Sequence, residues 1–477
     1  MGNNNVVWRR VCIFLGIASF LVASVQMFGI ALTRYHLIPL VVICLAFLIA
    51  NRSEVQDEVD SKEYIDYPWV KSQVDVIYLN QEDDFSEEIA DRGLPVIIRN
   101  TSIHKWRATQ LWTPEYIESK MSHFYNVQKH QDKVFSYFQQ GRPMSSLKGV
   151  IENYRYTTYQ RINLTSSQFF QEMKKTPPYH YYTASAEQLG PLYHDLYPIE
   201  PFMVKNSSWK IEESYLHRWT NVWFGPAGAT THTHYDISHN FYAQIYGKKR
   251  FVLFSPDQLN NLYLYPFLHP GGQQSQVRFD EWDHKSFPNF AKAEAIEAVL
   301  EPGDVLYLPP LWFHHVTALT TSMSVSIWSR YPEVQRMWEL EKLPLPFQSH
   351  WSPRRLALAG RIFLEILINN VIGEEDASAP AFVENLLEQR YKNLYGDLLF
   401  DDKSFCIDHL SSEGDTVDSI LNEEQDRFIM AVEERLSLFQ QDVHRREIWL
   451  GNTAEQLALT VAGVEHTAKF LYDFASC

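Results

Sequence analysis

Residues 215–330 constrain the fold more than any other part of the chain. Seven short stretches there, 219–224, 240–246, 250–254, 296–300, 305–308, 314–319 and 322–328, are rich in β-branched and aromatic residues. Turn residues separate them: Gly225-Pro226, Tyr246-Gly247-Lys248, Ser255-Pro256-Asp257 and Pro302-Gly303-Asp304. Many short strands with such punctuation pack as an antiparallel sandwich or jelly roll. The flanks read differently. Gly93-Leu-Pro-Val-Ile-Ile-Arg99 looks like a buried strand after a turn, and 112–120 like a helix with Thr113 as N-cap and Pro114 in its first turn. Residues 150–215 mix short helices with Tyr-rich loops. Residues 356–371, 421–443 and 453–474 have helical periodicity, so a helical region should follow the β core.

The string Gly228-Ala-Thr-Thr-His-Thr-His-Tyr-Asp236 carries chemistry. His234 and Asp236 are two apart, so on a strand or at its end they face one spot. A third ligand must come from another strand. The turn in Glu301-Pro-Gly-Asp304 feeds a strand that delivers His314 or His315. If His314 faces inward with Val316, His315 points out; we favour His314. Two His and one carboxylate make the facial triad of non-haem Fe(II) oxygenases, with positions left open. His232 is conceivable as a fourth ligand of a closed Zn(II) site, but His232 and His239 read better as supporting or surface groups. Lys249 would suit the distal carboxylate of an anionic co-substrate. Its neighbours Lys248 and Arg250 fit a plain solvated turn equally well.

The segments 225–256 and 302–316 resemble the core of the cupin-like JmjC hydroxylases, and 94–100 with Trp106 and Trp112-Thr-Pro resembles the N-terminal signature of that family. The resemblance covers residues 75–335 and is close to the subgroup of the asparaginyl hydroxylase of hypoxia signalling. It implies a double-stranded β-helix (jelly-roll, cupin) core, mainly β, with flanking helices. It also implies Fe(II), 2-oxoglutarate as co-substrate and O₂. By position, His234, Asp236 and His314 match the iron ligands, and Lys249 matches the lysine that pairs with 2-oxoglutarate. Thr231 and Asn240 match polar residues of the co-substrate site. An upstream family tyrosine corresponds to Tyr181 or Tyr182, and we prefer Tyr181. Where the asparaginyl hydroxylase has Asn on its last core strand, this chain has Ser326.

The expected organisation is a membrane anchor at 1–52, an acidic linker at 53–73, the cupin-like catalytic domain at 74–335 and a helical region at 336–477. The anchor rests on the uncharged runs 11–32 and 37–50, membrane-bound either as one transmembrane span or as a two-helix hairpin. Arg9 and Arg10 favour a cytoplasmic start. The catalytic domain is then cytoplasmic after two spans and lumenal after one, in an endomembrane such as the endoplasmic reticulum. Sequons at Asn51, Asn100, Asn163 and Asn206 permit the lumenal choice. Four widely spread cysteines suggest no disulfide framework.

The net charge of −16 is uneven: residues 331–477 hold 13 basic and 26 acidic groups, and 215–330 hold 8 and 9. That disfavours nucleic acid bound by bulk electrostatics. The expected function is a membrane-anchored dioxygenase that hydroxylates a protein or peptide side chain. The alternatives are an N-methyl-lysine demethylase and a catalytically inactive interaction protein. The C-terminal helices are expected to form a homodimer.

Overall fold

The computed structural model describes residues 65–477 except 80–84, 152, 155–158, 205–218, 331–342, 374–377, 397–403 and 438–442, with the side chains of 443–445 also undescribed. The expected anchor and most of the expected linker lie outside these residues. Among the described residues no helix is long and apolar enough to cross a membrane.

The first strands are β1 Val70–Gln73, β2 Val76–Tyr78, β3 Val96–Arg99, β4 His123–His130, β5 Val134–Phe135, β6 Gln160–Thr165 and β7 Tyr179–Ser185. The core follows: β8 Thr220–Gly225, β9 Thr230–Tyr235, β10 His239–Tyr246, β11 Lys249–Phe254, β12 Ala295–Leu300, β13 Val305–Leu308, β14 Phe313–Ala318 and β15 Ser322–Ser329. They form two sheets. One has the order β1-β12-β11-β14-β9-β5, the other β2-β3-β13-β10-β15-β8-β7-β4-β6. The core ladders are antiparallel, and β1, β2 and β5 add at the edges in parallel.

Between the sheets pack Tyr242, Phe251, Leu253, Leu306, Leu308 and Val316. Each such apolar side chain contributes about 1.5–3 kcal/mol by leaving water. The outer faces are covered too. Phe241, Ala243, Val325 and Ile327 meet Trp106, Ile103 and Phe202 on one side. Val252, Phe254 and Phe313 meet Trp69, Phe279 and Phe290 on the other. Strands buried on both faces explain the near-continuous apolar runs of the sequence.

The helix α1, Pro114–Lys120, starts as the sequence suggests: the Thr113 hydroxyl accepts from the Tyr116 amide at 3.1 Å. The C-terminal region is a bundle of α2 Pro353–Ile372, α3 Ala379–Arg390, α4 Val417–Ser437, α5 Val443–Ala462 and α6 Thr467–Ser476 around its own core. The single periodic run expected at 453–474 is two helices, because Gly463 at φ +80° turns the chain between α5 and α6.

Three expectations need correction. Val70–Gln73, placed in the linker, belongs to the fold: β1 pairs with β12 and Trp69 packs edge-to-face with Phe279, Trp282 and Phe290. The Tyr-rich stretch 150–215 contributes β6 and β7, whose pattern is hidden because β6 is an exposed edge. Two cysteines do pair. α6 brings Cys477 back to Cys406, with Cα atoms 5.5 Å apart although the two are 71 positions apart in the sequence. That distance lies within the range of disulfides, and spacing in the sequence could not reveal it.

Candidate metal centre and its pocket

β9 and β14 are neighbours, and His234 sits opposite His314 in their ladder. The strand β9 ends one residue before Asp236, whose carbonyl accepts from the Leu311 amide at 2.7 Å. The sheet therefore collects the three side chains. His234 Nε2 is 3.9 Å from one Asp236 carboxylate oxygen, and His314 Nε2 is 3.9 Å from the other. These gaps are within the span of two metal–ligand bonds of about 2.1 Å each.

The two imidazoles are oriented by the same device. His234 Nδ1 donates to the His232 carbonyl at 2.8 Å, and His314 Nδ1 donates to the Trp312 carbonyl at 3.1 Å. A carbonyl only accepts, so Nδ1 carries the proton and the Nε2 lone pair faces the shared spot. Burial, then His234, pulls His314 down to about 4, against the opposing pull of Asp236. It is neutral at pH 7, the form in which an imidazole can bind a metal. His314 is nearly closed off, while His234 and Asp236 keep 24% and 29% of their side-chain surface toward the pocket.

His315 and His232 stand apart from this group. His315 does turn away from His314, but it is buried: it stacks on Phe279 at 4.3 Å and its Nδ1 lies 3.2 Å from the Thr233 hydroxyl. His232 is buried as well, and its Nε2 is 2.7 Å from the Ser275 carbonyl. His239 bonds the Tyr307 hydroxyl at 2.8 Å on the far side of β10. None of the three is a surface group. Among the described residues the group at this spot is His234, Asp236 and His314. Three ligands leave an open site, which suits catalysis better than a closed structural zinc.

The triad opens into a cavity of about 600 Å³. Its wall includes Tyr181, Thr231, Asn240, Tyr242 and Ser326. The Tyr181 hydroxyl is 3.3 Å from that of Thr231, whereas Tyr182 packs between Phe124 and Phe224. The Asn240 side-chain carbonyl is buried here with no hydrogen-bond partner. Lys249 lies behind the wall, 1% exposed, with its ammonium donating to the Tyr242 hydroxyl at 2.7 Å. Burial pulls it down to about 7. Its neighbours are engaged elsewhere: Arg250 with Glu297, Lys248 with Glu301. A buried cation whose partner is neutral is what a carboxylate-bearing ligand would complete.

Sequence reasoning passed over Tyr242 and Trp223. Tyr242 shares a strand face with Asn240 by simple alternation, so a period-two count from Asn240 finds it. Trp223 donates its indole N–H to Ser326 at 2.8 Å across β8 and β15, a pairing that only the register reveals. Tyr125, Tyr137 and Arg161 at the cavity mouth come from β4, the strap after β5, and β6, which no local motif links.

A family model described as a cupin-like domain matches residues 82–333, more than half of the chain. The chain belongs to the cupin-like JmjC oxygenase family. It is 44% identical over 109 residues to "Lysine-specific demethylase JMJ30" of Arabidopsis thaliana, covering 23% of this chain and 25% of that protein. To "Lysine-specific demethylase 8" of Xenopus tropicalis it is 42% identical over 112 residues, 23% of this chain and 24% of the relative. To "tRNA wybutosine-synthesizing protein 5" of Danio rerio the figures are 41% over 99 residues, 21% and 29%. The chain thus spans about a quarter of the length of the curated relatives it matches. Members of this cupin-like JmjC family use Fe(II), 2-oxoglutarate and O₂. The donor set fits Fe(II), and the buried Lys249 fits a dicarboxylate.

Proposed function

We propose that the chain is a 2-oxoglutarate-dependent dioxygenase that hydroxylates a side chain of a protein substrate. The observation that carries this is the open His234–Asp236–His314 group at one side of a cavity whose wall is backed by buried Lys249. Fe(II), 2-oxoglutarate and O₂ together supply the oxidising power to break a substrate C–H bond. The chain's own residues do the rest. His234, Asp236 and His314 would hold the metal on one face. Lys249 and Thr231 would hold the dicarboxylate, with Tyr181 and Asn240 shaping its slot. The apolar layer of Phe251, Leu308 and Val316 excludes water from the chemistry.

The test is succinate formation from 2-oxoglutarate with Fe(II), wild type against His234→Ala. We expect turnover in the wild type and its loss in the variant. No turnover in either, with or without candidate peptides, would leave a catalytically inactive interaction protein as the better account.

A second reading, N-methyl-lysine demethylation, is favoured by the names of two relatives and by the aromatic rim of Tyr125, Tyr137 and Tyr159. It begins with the same C–H cleavage. Release of formaldehyde from a methylated peptide, against retention of a hydroxyl group on an unmethylated one, separates the two.

We further propose that residues 11–50 hold the chain to an endomembrane and that the C-terminal helices form a homodimer. Exposed Met430 and Ile429 on α4 support the dimer. Analytical ultracentrifugation of the full chain in detergent tests it, and a strictly monomeric species would sink it.

A further inference from the structure

Two features far apart in the fold have no part in the oxygenase chemistry. The first is the Cys406–Cys477 pair. Asp473 stands beside it, and the three could be taken for a soft-metal group. The carboxylate is already committed, however. One oxygen accepts from the Phe405 amide at 2.9 Å and the other from the Lys469 ammonium at 2.5 Å. With Asp473 occupied, the two sulfurs are left to each other. The surroundings are ordered: Phe405 packs edge-on to Phe470, and its carbonyl accepts from Arg361 at 3.0 Å. A persistent disulfide in a folded domain belongs to an oxidising compartment.

The second feature is Asn163 in Asn163-Leu-Thr165. It is exposed on β6, which is the last strand of the larger sheet and pairs only with β4 among the described residues. Its Oδ1 accepts from the Asn126 amide at 3.0 Å. That bond leaves Nδ2, the atom a glycan would take, unused. A bulky polar group here would cover an open sheet edge, which is a place proteins must protect from pairing.

We propose that the folded domain lies in an oxidising, glycosylating compartment, with Cys406–Cys477 closed and an N-linked glycan on Asn163. In the first step both thiols lose a proton and an electron to a thiol–disulfide oxidant, which is reduced to its dithiol as the S–S bond forms. In the second, Asn163 Nδ2 gives up a proton and bonds the anomeric carbon of a lipid-diphosphate-linked oligosaccharide, and the lipid diphosphate leaves. Any protein substrate would then be a secretory-pathway protein; that clause alone rests on the oxygenase reading.

The test uses the full chain made in cultured animal cells, alkylated without reductant, digested, and deglycosylated in heavy-oxygen water. The expected result is a cross-linked Cys406–Cys477 peptide and an isotopic label at position 163. Thr165→Ser keeps the sequon, and keeps a hydroxyl to cap the helix Ser166–Met173 that Thr165 now caps, so it should keep the label; Asn163→Gln should lose one glycan from the intact mass and keep the disulfide. Two separately alkylated cysteines, or a bare Asn163 alongside a labelled Asn51 or Asn206, would overturn the proposal. Neither readout needs turnover, so its failure leaves the oxygenase reading untouched.

Discussion

The Lys249 ammonium and the Tyr242 hydroxyl meet at 2.7 Å across the two sheets, one side chain from β11 and the other from β10. Both are buried, and the partner of the cation is neutral. Burial holds Lys249 at about 7 instead of 10.5, and pushes the Tyr242 phenol well up from its usual range.

The first prediction follows from the sign of that shift. Between pH 7 and 10.5 the unfolded chain binds more protons at this lysine than the folded one, so the apo fold gains stability as pH rises through that window. The full span is on the order of 5 kcal/mol. Lys249→Met should therefore unfold at a higher temperature than the wild type near pH 7, with the gap closing toward pH 10. Succinate should stabilise the wild type and not the variant. Its binding near pH 7 should take up protons, which calorimetry in buffers of different ionisation enthalpy detects. Equal responses of the two proteins to succinate would disprove the assignment of Lys249.

Ser326 tests the far wall. Ser326→Ala removes the acceptor of the Trp223 indole and should cost about 1 kcal/mol in chemical denaturation. Trp223 lines the cavity, so dicarboxylate affinity should fall with it. A variant unchanged in both measurements would mean that this bond is dispensable.

Gly247 is the turn on which Lys249 depends. It sits at φ +68°, and a Cβ there would run into the Thr321 carbonyl and come within 2.5 Å of the Thr320 hydroxyl. Gly247→Ala should destabilise the fold by about 1–2 kcal/mol from the backbone conformation, with the clash adding to it. The β10–β11 turn must then shift, so succinate affinity should drop in whatever fraction stays folded.

Arg390 connects the helical region to the pocket. Its guanidinium reaches Glu455 at 2.8 Å and Asn452 at 3.0 Å, all buried. Glu455 accepts from the Leu268 amide at 3.3 Å, and the Arg390 carbonyl accepts from Gln276 at 3.0 Å. Residues 272–274 of that same loop line the cavity. Arg390→Met should cost about 3–5 kcal/mol by leaving a buried carboxylate unpaired. The double variant with Glu455→Leu should recover much of it, as a thermal-shift comparison would show.

The β core was legible because its signals are local. Turn residues and β-branched runs placed seven of the eight core strands to within a residue or two, and left out β9, which the His234–Asp236 string alone marked. His234 and Asp236 followed from alternation, and Lys249 sat right after a readable turn. What stayed hidden depends on distant partners. Trp223 and Ser326 meet only through strand register, Cys406 and Cys477 only through helix packing, and Tyr125 and Arg161 only through the edge of a nine-stranded sheet. His315 faces away from the triad as alternation says, but its burial stayed hidden because alternation gives a direction without saying what covers that face.

The opposition of His234 and His314 reaches beyond the pocket. They are direct cross-strand neighbours, and the β9–β14 register slips immediately after them. A shared ligand would act there as a clasp on the weakest step of that ladder. Cells short of metal would then hold a protein whose barrel wall is loosened as well as one lacking its chemistry. Metal supply would set how long the chain survives as much as how fast it works.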